Sequence, residues 1–125
     1  MEALDVVEFA CDPFGWHSEI ERWRDEYGAL VVDYPTSARQ RMGPAVDRFR
    51  TAVLEGDLTH DGDEALARHV GHAISKVTPY GHVIGKDHPD SPRKIDGAVA
   101  AVIAFDRAWW HRTHVAVPLV RYGAY

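Results

Sequence analysis

The hydrophobic positions of this chain change period twice before residue 35. Asp5 to Cys11 alternates, with Val7, Phe9 and Cys11 on one side and Val6, Glu8, Ala10 and Asp12 on the other. That alternation predicts a strand, which Pro13 stops. Trp16, Ile20, Trp23 and Tyr27 then recur at helical spacing, predicting an amphipathic helix over Trp16–Tyr27 with Gly28 as its C-terminal cap. Ala29–Tyr34, with Leu30, Val31 and Val32 at its centre, predicts a second strand. Strand, helix and strand within about thirty residues make a βαβ unit, which implies parallel neighbours and a right-handed crossover.

Helical patterning dominates the rest of the chain. Residues 35–56 predict a helical stretch broken near Gly43-Pro44, its second half packing through Val46, Phe49, Val53 and Leu54 and ending at Gly56. Thr59-His60-Asp61-Gly62 reads as a turn, and Asp63–Ser75 as a helix with Leu66, Val70, Ala73 and Ile74 inward. Gly81–Lys86 suits a short strand or extended loop, and KDHPDSPRK a polar surface loop. The last helix, about Lys94–Arg112, has a buried stripe of Ile95, Val99, Val102 and Ile103. The tail VAVPLVRYGAY is apolar but carries Pro118, which fits an edge strand or docking arm. There are no repeats and no low-complexity tract. Two strands make no stable open sheet under this many helices. The chain therefore reads as the latter part of a larger α/β domain over residues 1–112, with a tail over 113–125.

Composition narrows the classes. At 125 residues, 46% apolar and 26% charged, this is one ordinary soluble globular domain with a modest core. A net charge of −5, from 14 Lys and Arg against 19 Asp and Glu, leaves no global basic footprint for nucleic acid. That argues against a stand-alone high-affinity DNA binder and permits an enzyme that gathers carboxylates around metal ions. Arg outnumbers Lys, which suits bidentate phosphate contacts, although a GC-rich genome gives the same bias. Cys11 is the only cysteine, so there is no intramolecular disulfide or zinc ribbon, and a reducing cytoplasm is the natural inference. MEALDVVEF has no basic leader, and the apolar run Ala98–Phe105 is too short to span a bilayer.

Two acids stand out. Asp96 lies three, four and seven residues before Val99, Ala100 and Ile103, on the edge of the inward face at the mouth of an apolar helix. A charge there must be paired, hydrated or bound to a cation; equally, an acid in a first turn favours the macrodipole. Asp12 ends the first strand, where open parallel sheets gather their ligands, though Asp-Pro before a helix is also a good N-cap. Glu8, four residues back on the same strand face, reads as a third candidate for that cleft or as a solvated or sheet-pairing residue. Asp12 and Asp96 could converge on one hard cation such as Mg²⁺, but a two-metal phosphodiester site needs a third acid.

Arg93, Lys94 and Lys86 suit either phosphate contacts or a solvated loop. Asp61 and Asp63 read as helix caps, with Glu64 in the favourable first turn. His69 and His72 stand at i and i+3 with no fitting third ligand, and read as exposed or core-edge residues. His111 and His114 suit a helix C-terminal dipole. Trp109 and Trp110 read as core and rim, with base stacking as the alternative. Cys11 reads as an inert core thiol. No GxGxxG, Walker A or GxSxG motif is present, and a flavodoxin-like domain is disfavoured because no phosphate-cradling glycine loop follows either strand.

The ordered run of EFACDPFGW, VVDYP, LEGDLTHDGDEALARHV and GKDHPDSPRKIDGAVAAVIAF resembles the C-terminal nuclease region of tailed-phage terminase large subunits, from about Val6 to Trp110. The pairing of an LTHDGD-type turn with a KIDGAVAA-type final helix is its specific part. The resemblance implies a partial ribonuclease H-like fold, with a short mostly parallel sheet flanked by helices. It implies a metal-dependent DNA endonuclease, using Mg²⁺ or Mn²⁺ in a two-metal site if complete, that cuts concatemeric DNA during genome packaging in the host cytoplasm. Asp12 would be the strand-end acid and Asp96 the final-helix acid, both catalytic and metal-binding. Double-stranded DNA, a terminase small subunit and a portal are the implied partners. The family's packaging ATPase half has no counterpart here, nor do the first nuclease strands with their leading Asp, so the resemblance begins just before the fourth strand. The alternative expectation is an inactive prophage remnant or docking module that associates, with another chain or as a homo-oligomer, through an open sheet edge.

Overall fold

The computed structural model describes residues 4–114 and shows a mixed α/β chain. The order is β1 (Phe9–Cys11), α1 (His17–Tyr27), a single 3₁₀ turn (Gly28–Leu30), β2 (Val31–Asp33), α2 (Arg39–Glu55), α3 (Glu64–His72), β3 (Ile74–Thr78), β4 (Gly81–Gly85) and α4 (Asp96–His114). The predicted βαβ unit is present: β1 and β2 are parallel, with Phe9, Ala10 and Cys11 opposite Val31, Val32 and Asp33. Gly28 closes α1 at φ +67°, its N–H donating to the Arg24 carbonyl. Of the expected inward face of α1, only Ile20 is buried. Trp16 and Tyr27 are exposed, and Trp23 instead lies against Phe9 and Trp16.

Three expectations change. The sheet is not one mostly parallel layer: among the described residues there are two separate two-stranded sheets, one parallel and one antiparallel. The second is a hairpin, β3–β4, whose first strand takes up the end of the helix expected over Asp63–Ser75. Val70, Ala73 and Ile74 mimic helical spacing, but Ile-Ser-Lys-Val-Thr is rich in β-branched residues, and the turn at Pro79-Tyr80 returns it onto β4. The third change is that α2 runs unbroken through Gly43-Pro44. Met42, Gly43, Ala45 and Val46 are all buried there, so packing outweighs the hydrogen bond that Pro44 forfeits. The tail 113–125 falls, from residue 115, outside the described residues; α4 itself continues to His114.

Everything converges on α4. Val102 and Ile103 meet Tyr34, Met42, Ala45 and Val46 in one buried cluster, with Ala10, Phe49, Val83, Ile84 and Val99 packed against it. Tyr34 is fully buried, and its hydroxyl donates to Asp106 of α4 at 2.8 Å. Burial first, and that bond second, raise the phenol far above its ordinary range. Arg48 of α2 ion-pairs with the same carboxylate. Leaving such a part-buried acid without these donors costs more than an ordinary hydrogen bond.

The hairpin is seated by close backbone contact. A Cβ at Gly43 would collide with the Tyr80 carbonyl, and Asp47, one turn on, accepts from the His82 N–H at 3.1 Å and from its ring Nδ1 at 2.8 Å. Helix propensity alone favours Gly43→Ala by about 1 kcal/mol. The collision reverses the sign: urea unfolding should show the variant destabilised by about 1–3 kcal/mol.

Candidate functional site

Asp12 leaves the end of β1 just after the Cys11 carbonyl accepts from the Tyr34 N–H at 2.7 Å. One carboxylate oxygen accepts from the Phe14 N–H at 3.1 Å, and the other from the Thr36 hydroxyl. It therefore does not cap α1, whose N-cap position is Trp16 with no side-chain cap. These bonds bind the β1 end to the loop after β2 and leave lone pairs on both oxygens. Asp33, at the equivalent end of β2, is taken by Arg24 at 2.8 Å. Cys11 is half-buried, and burial followed by the nearby Asp33 pushes its thiol up, which suits an inert role.

Asp96 opens α4. It is exposed rather than on the inward edge, and among the described residues it makes no hydrogen bond. Its neighbours are held instead: the Gly97 N–H donates to His69 Nδ1 at 2.7 Å, and His72 Nδ1 donates to the Lys94 carbonyl at 2.9 Å. The two histidines thus have a definite task, legible only once α3 is known to lie against the start of α4. Arg93 is exposed and 4.0 Å from Asp87, whose carboxyl is lowered chiefly by Ser91. Lys94 is exposed, and Lys86 lies just past β4, so all three cations sit on the loop that leads into Asp96.

The two acids have different surroundings: Asp12 lies with Phe14, Trp16 and Trp23 beside α1, and Asp96 opens α4 beside α3. Glu8, before β1, meets Arg107 and His111 near the far end of α4, whereas Ala10 shares a groove of about 380 Å³ with Ala100 and Ile103. The β1 segment therefore lies along the Ala100–His111 stretch of α4, past the turn that carries Asp96. Glu8 joins neither acid. It is bonded to Arg107 Nη2 at 2.9 Å and His111 Nε2 at 2.8 Å, neither solvated nor aimed at the cleft. His111 is likewise committed to Glu8, while His114 does reach the Trp110 carbonyl at 3.1 Å. Arg48 covers the Trp109 ring at 3.7 Å, and Arg107 covers Trp110 at 4.5 Å.

Among the described residues, no group of three or more His, Cys, Asp or Glu side chains is placed to hold a metal ion. The residues present do not make a two-ion centre. Asp12 and Asp96 stand on separate elements, and each offers carboxylate oxygens of the kind a hard cation of the Mg²⁺ type takes alongside water and phosphate oxygens.

The chain is similar to two bacteriophage proteins. Both are named Gene 13 protein, from Mycobacterium phage L5 and Mycobacterium phage D29, and each is 34% identical over 112 residues. The match takes in 81% of this chain but only 19% of either relative, so the chain spans about a fifth of their length. No family profile and no solved structure matches it. Among the described residues, no helix is long and apolar enough to cross a membrane.

The Arg107 guanidinium, and then His111, hold the Glu8 carboxyl below its ordinary value of 4.5 against the opposing effect of burial. The folded state thus binds this proton less readily than the unfolded chain. Its stabilisation is full above the ordinary value and is lost as pH falls through the lowered folded one. Glu8→Gln should cost about 1–3 kcal/mol at pH 7. In urea titrations at several pH values, the gap to the parent should narrow steadily below pH 4.5.

Proposed function

We propose that this chain is part of the nuclease region of a phage terminase large subunit, a metal-dependent DNA endonuclease of ribonuclease H-like fold acting during genome packaging. The observation that supports the reading is the placement of one acid, Asp12, just past the end of a parallel strand and of another, Asp96, exposed in the first turn of α4. The similarity to phage proteins supports the setting. Asp12 and Asp96 would hold Mg²⁺ or Mn²⁺. The ion, when bound, offsets charge at a phosphodiester. Lys86, Arg93 and Lys94 would neutralise phosphates of double-stranded DNA along the loop entering the site. The small subunit and portal are partners by the same resemblance, in the host cytoplasm.

A second reading is favoured by one feature. β1 pairs only with β2 among the described residues, and beside its open edge Val7 and Phe9 are about half exposed over the groove against α4. An unpaired strand edge with an apolar floor is a template for strand addition. In this reading the chain is an inactive docking module. Its occupant is a strand from the remainder of the longer phage protein, of which this chain matches 19%.

Plasmid nicking in Mn²⁺ or Mg²⁺ separates the two. The nuclease reading expects nicking by the purified chain that falls at least tenfold in Asp12→Ala and in Asp96→Ala. Removing one essential electrostatic group commonly costs about 10²–10³ in rate, so tenfold is a modest threshold. No nicking by a chain shown to be folded overturns autonomous cleavage and leaves the docking module.

A further inference from the structure

The start of α4 is held by a different helix, and we propose that His69 and His72 of α3 are positioning residues for Asp96. This role rests on the nuclease reading. A helix start leaves four backbone N–H groups without partners, and a local Ser, Thr, Asp or Asn normally answers one of them. Here the residue before α4 is Ile95, which is buried and has no acceptor. The Gly97 N–H finds His69 Nδ1 instead, 2.7 Å away on another element. Because that nitrogen accepts, the His69 proton resides on Nε2. His72 does the reverse and donates through Nδ1 to the Lys94 carbonyl.

The geometry is a matched pair. His69 and His72 stand at i and i+3 on one face of α3, and their targets Gly97 and Lys94 are also three apart, bracketing Ile95 and Asp96. The fit leaves no slack, since a Cβ on Gly97 would come within 2.9 Å of His69 Nδ1. α3 is itself indexed from its start. Asp63 accepts from the Leu66 N–H at 2.7 Å, Asp61 from the Asp63 N–H at 3.0 Å, and His60 Nδ1 from the Gly62 N–H at 3.0 Å. The THDGD turn, the two histidines and the KIDG segment are therefore one mechanical unit. Asp96 has no hydrogen bond of its own among the described residues, so its carboxylate is placed by the backbone on either side of it. A cap from its own chain neighbour would stabilise α4 equally well. A cap from α3 also fixes where Asp96 stands.

The test uses the full ¹⁵N-labelled chain as His69→Ala, His69→Gln and parent, with two readouts. Amide hydrogen exchange without metal should rise at least tenfold at Gly97 in His69→Ala while Val102 and Ile103 change less than twofold. His69→Gln, whose side-chain oxygen can accept, should recover most of the protection. In a Mn²⁺ titration, the midpoint of signal broadening around residues 95–98 should move about tenfold higher in His69→Ala, the size typical of losing a group that orients a ligand. It should stay within threefold of the parent in His69→Gln. Unchanged Gly97 exchange, or an unchanged Mn²⁺ midpoint, in His69→Ala overturns the positioning role while the nuclease reading stands. Absence of any Mn²⁺ effect near Asp96 in the parent overturns the cation reading, and the histidines' role toward a cation with it.

Discussion

The part-buried carboxylate of Asp106 is the constraint on which the arrangement depends. Tyr34 reaches it from the end of β2 and Arg48 from α2, so one residue of α4 registers a strand and a helix at once. The next residue, Arg107, turns to Glu8 and fixes the approach of β1. Apolar packing of Val102 and Ile103 supplies attraction without direction. The two polar nodes supply direction, because each donor must meet its acceptor or leave it stranded. Slide α4 by one turn and both nodes fail.

The candidate site inherits its order from that registration. β1 is set against α4 by Glu8, and Asp12 follows at the other end of the strand. Separately, α3 fixes the backbone on both sides of Asp96. The two acids are thus placed by separate devices. Among the described residues, β1 pairs only with β2 and leaves its other edge beside an apolar groove.

Much of the fold was legible in the residues. Alternation marked β1, Gly28 and Gly56 marked two helix ends, and Asp63 marked the start of α3. The failures share a cause, which is that local patterns cannot see long-range partners. Pro44 looked like a break because the burial of its neighbours Met42, Gly43, Ala45 and Val46 is non-local. Ile74 and Ser75 looked helical because strand pairing with Ile84 and Gly85 lies ten residues on. Asp12 and Asp96 drew attention through their positions on elements, and the structure keeps them on separate ones, Asp12 past the end of β1 and Asp96 at the start of α4. Glu8 and His111 gave no sign of their bond, being 103 residues apart. His69 and His72 showed the right spacing, but their targets were backbone atoms, which leave no signature in a sequence.

In the proposed nuclease, Asp12 and Asp96 act on one cation. Electron paramagnetic resonance of free Mn²⁺ tests it directly, across the parent chain, Asp12→Ala, Asp96→Ala and the double variant. Ligands of one ion are coupled, so their losses do not add. Each single variant should then weaken Mn²⁺ binding by about tenfold or more, and the double variant should be no weaker than the weaker single. Losses that multiply in the double variant, or singles that bind like the parent, would contradict it.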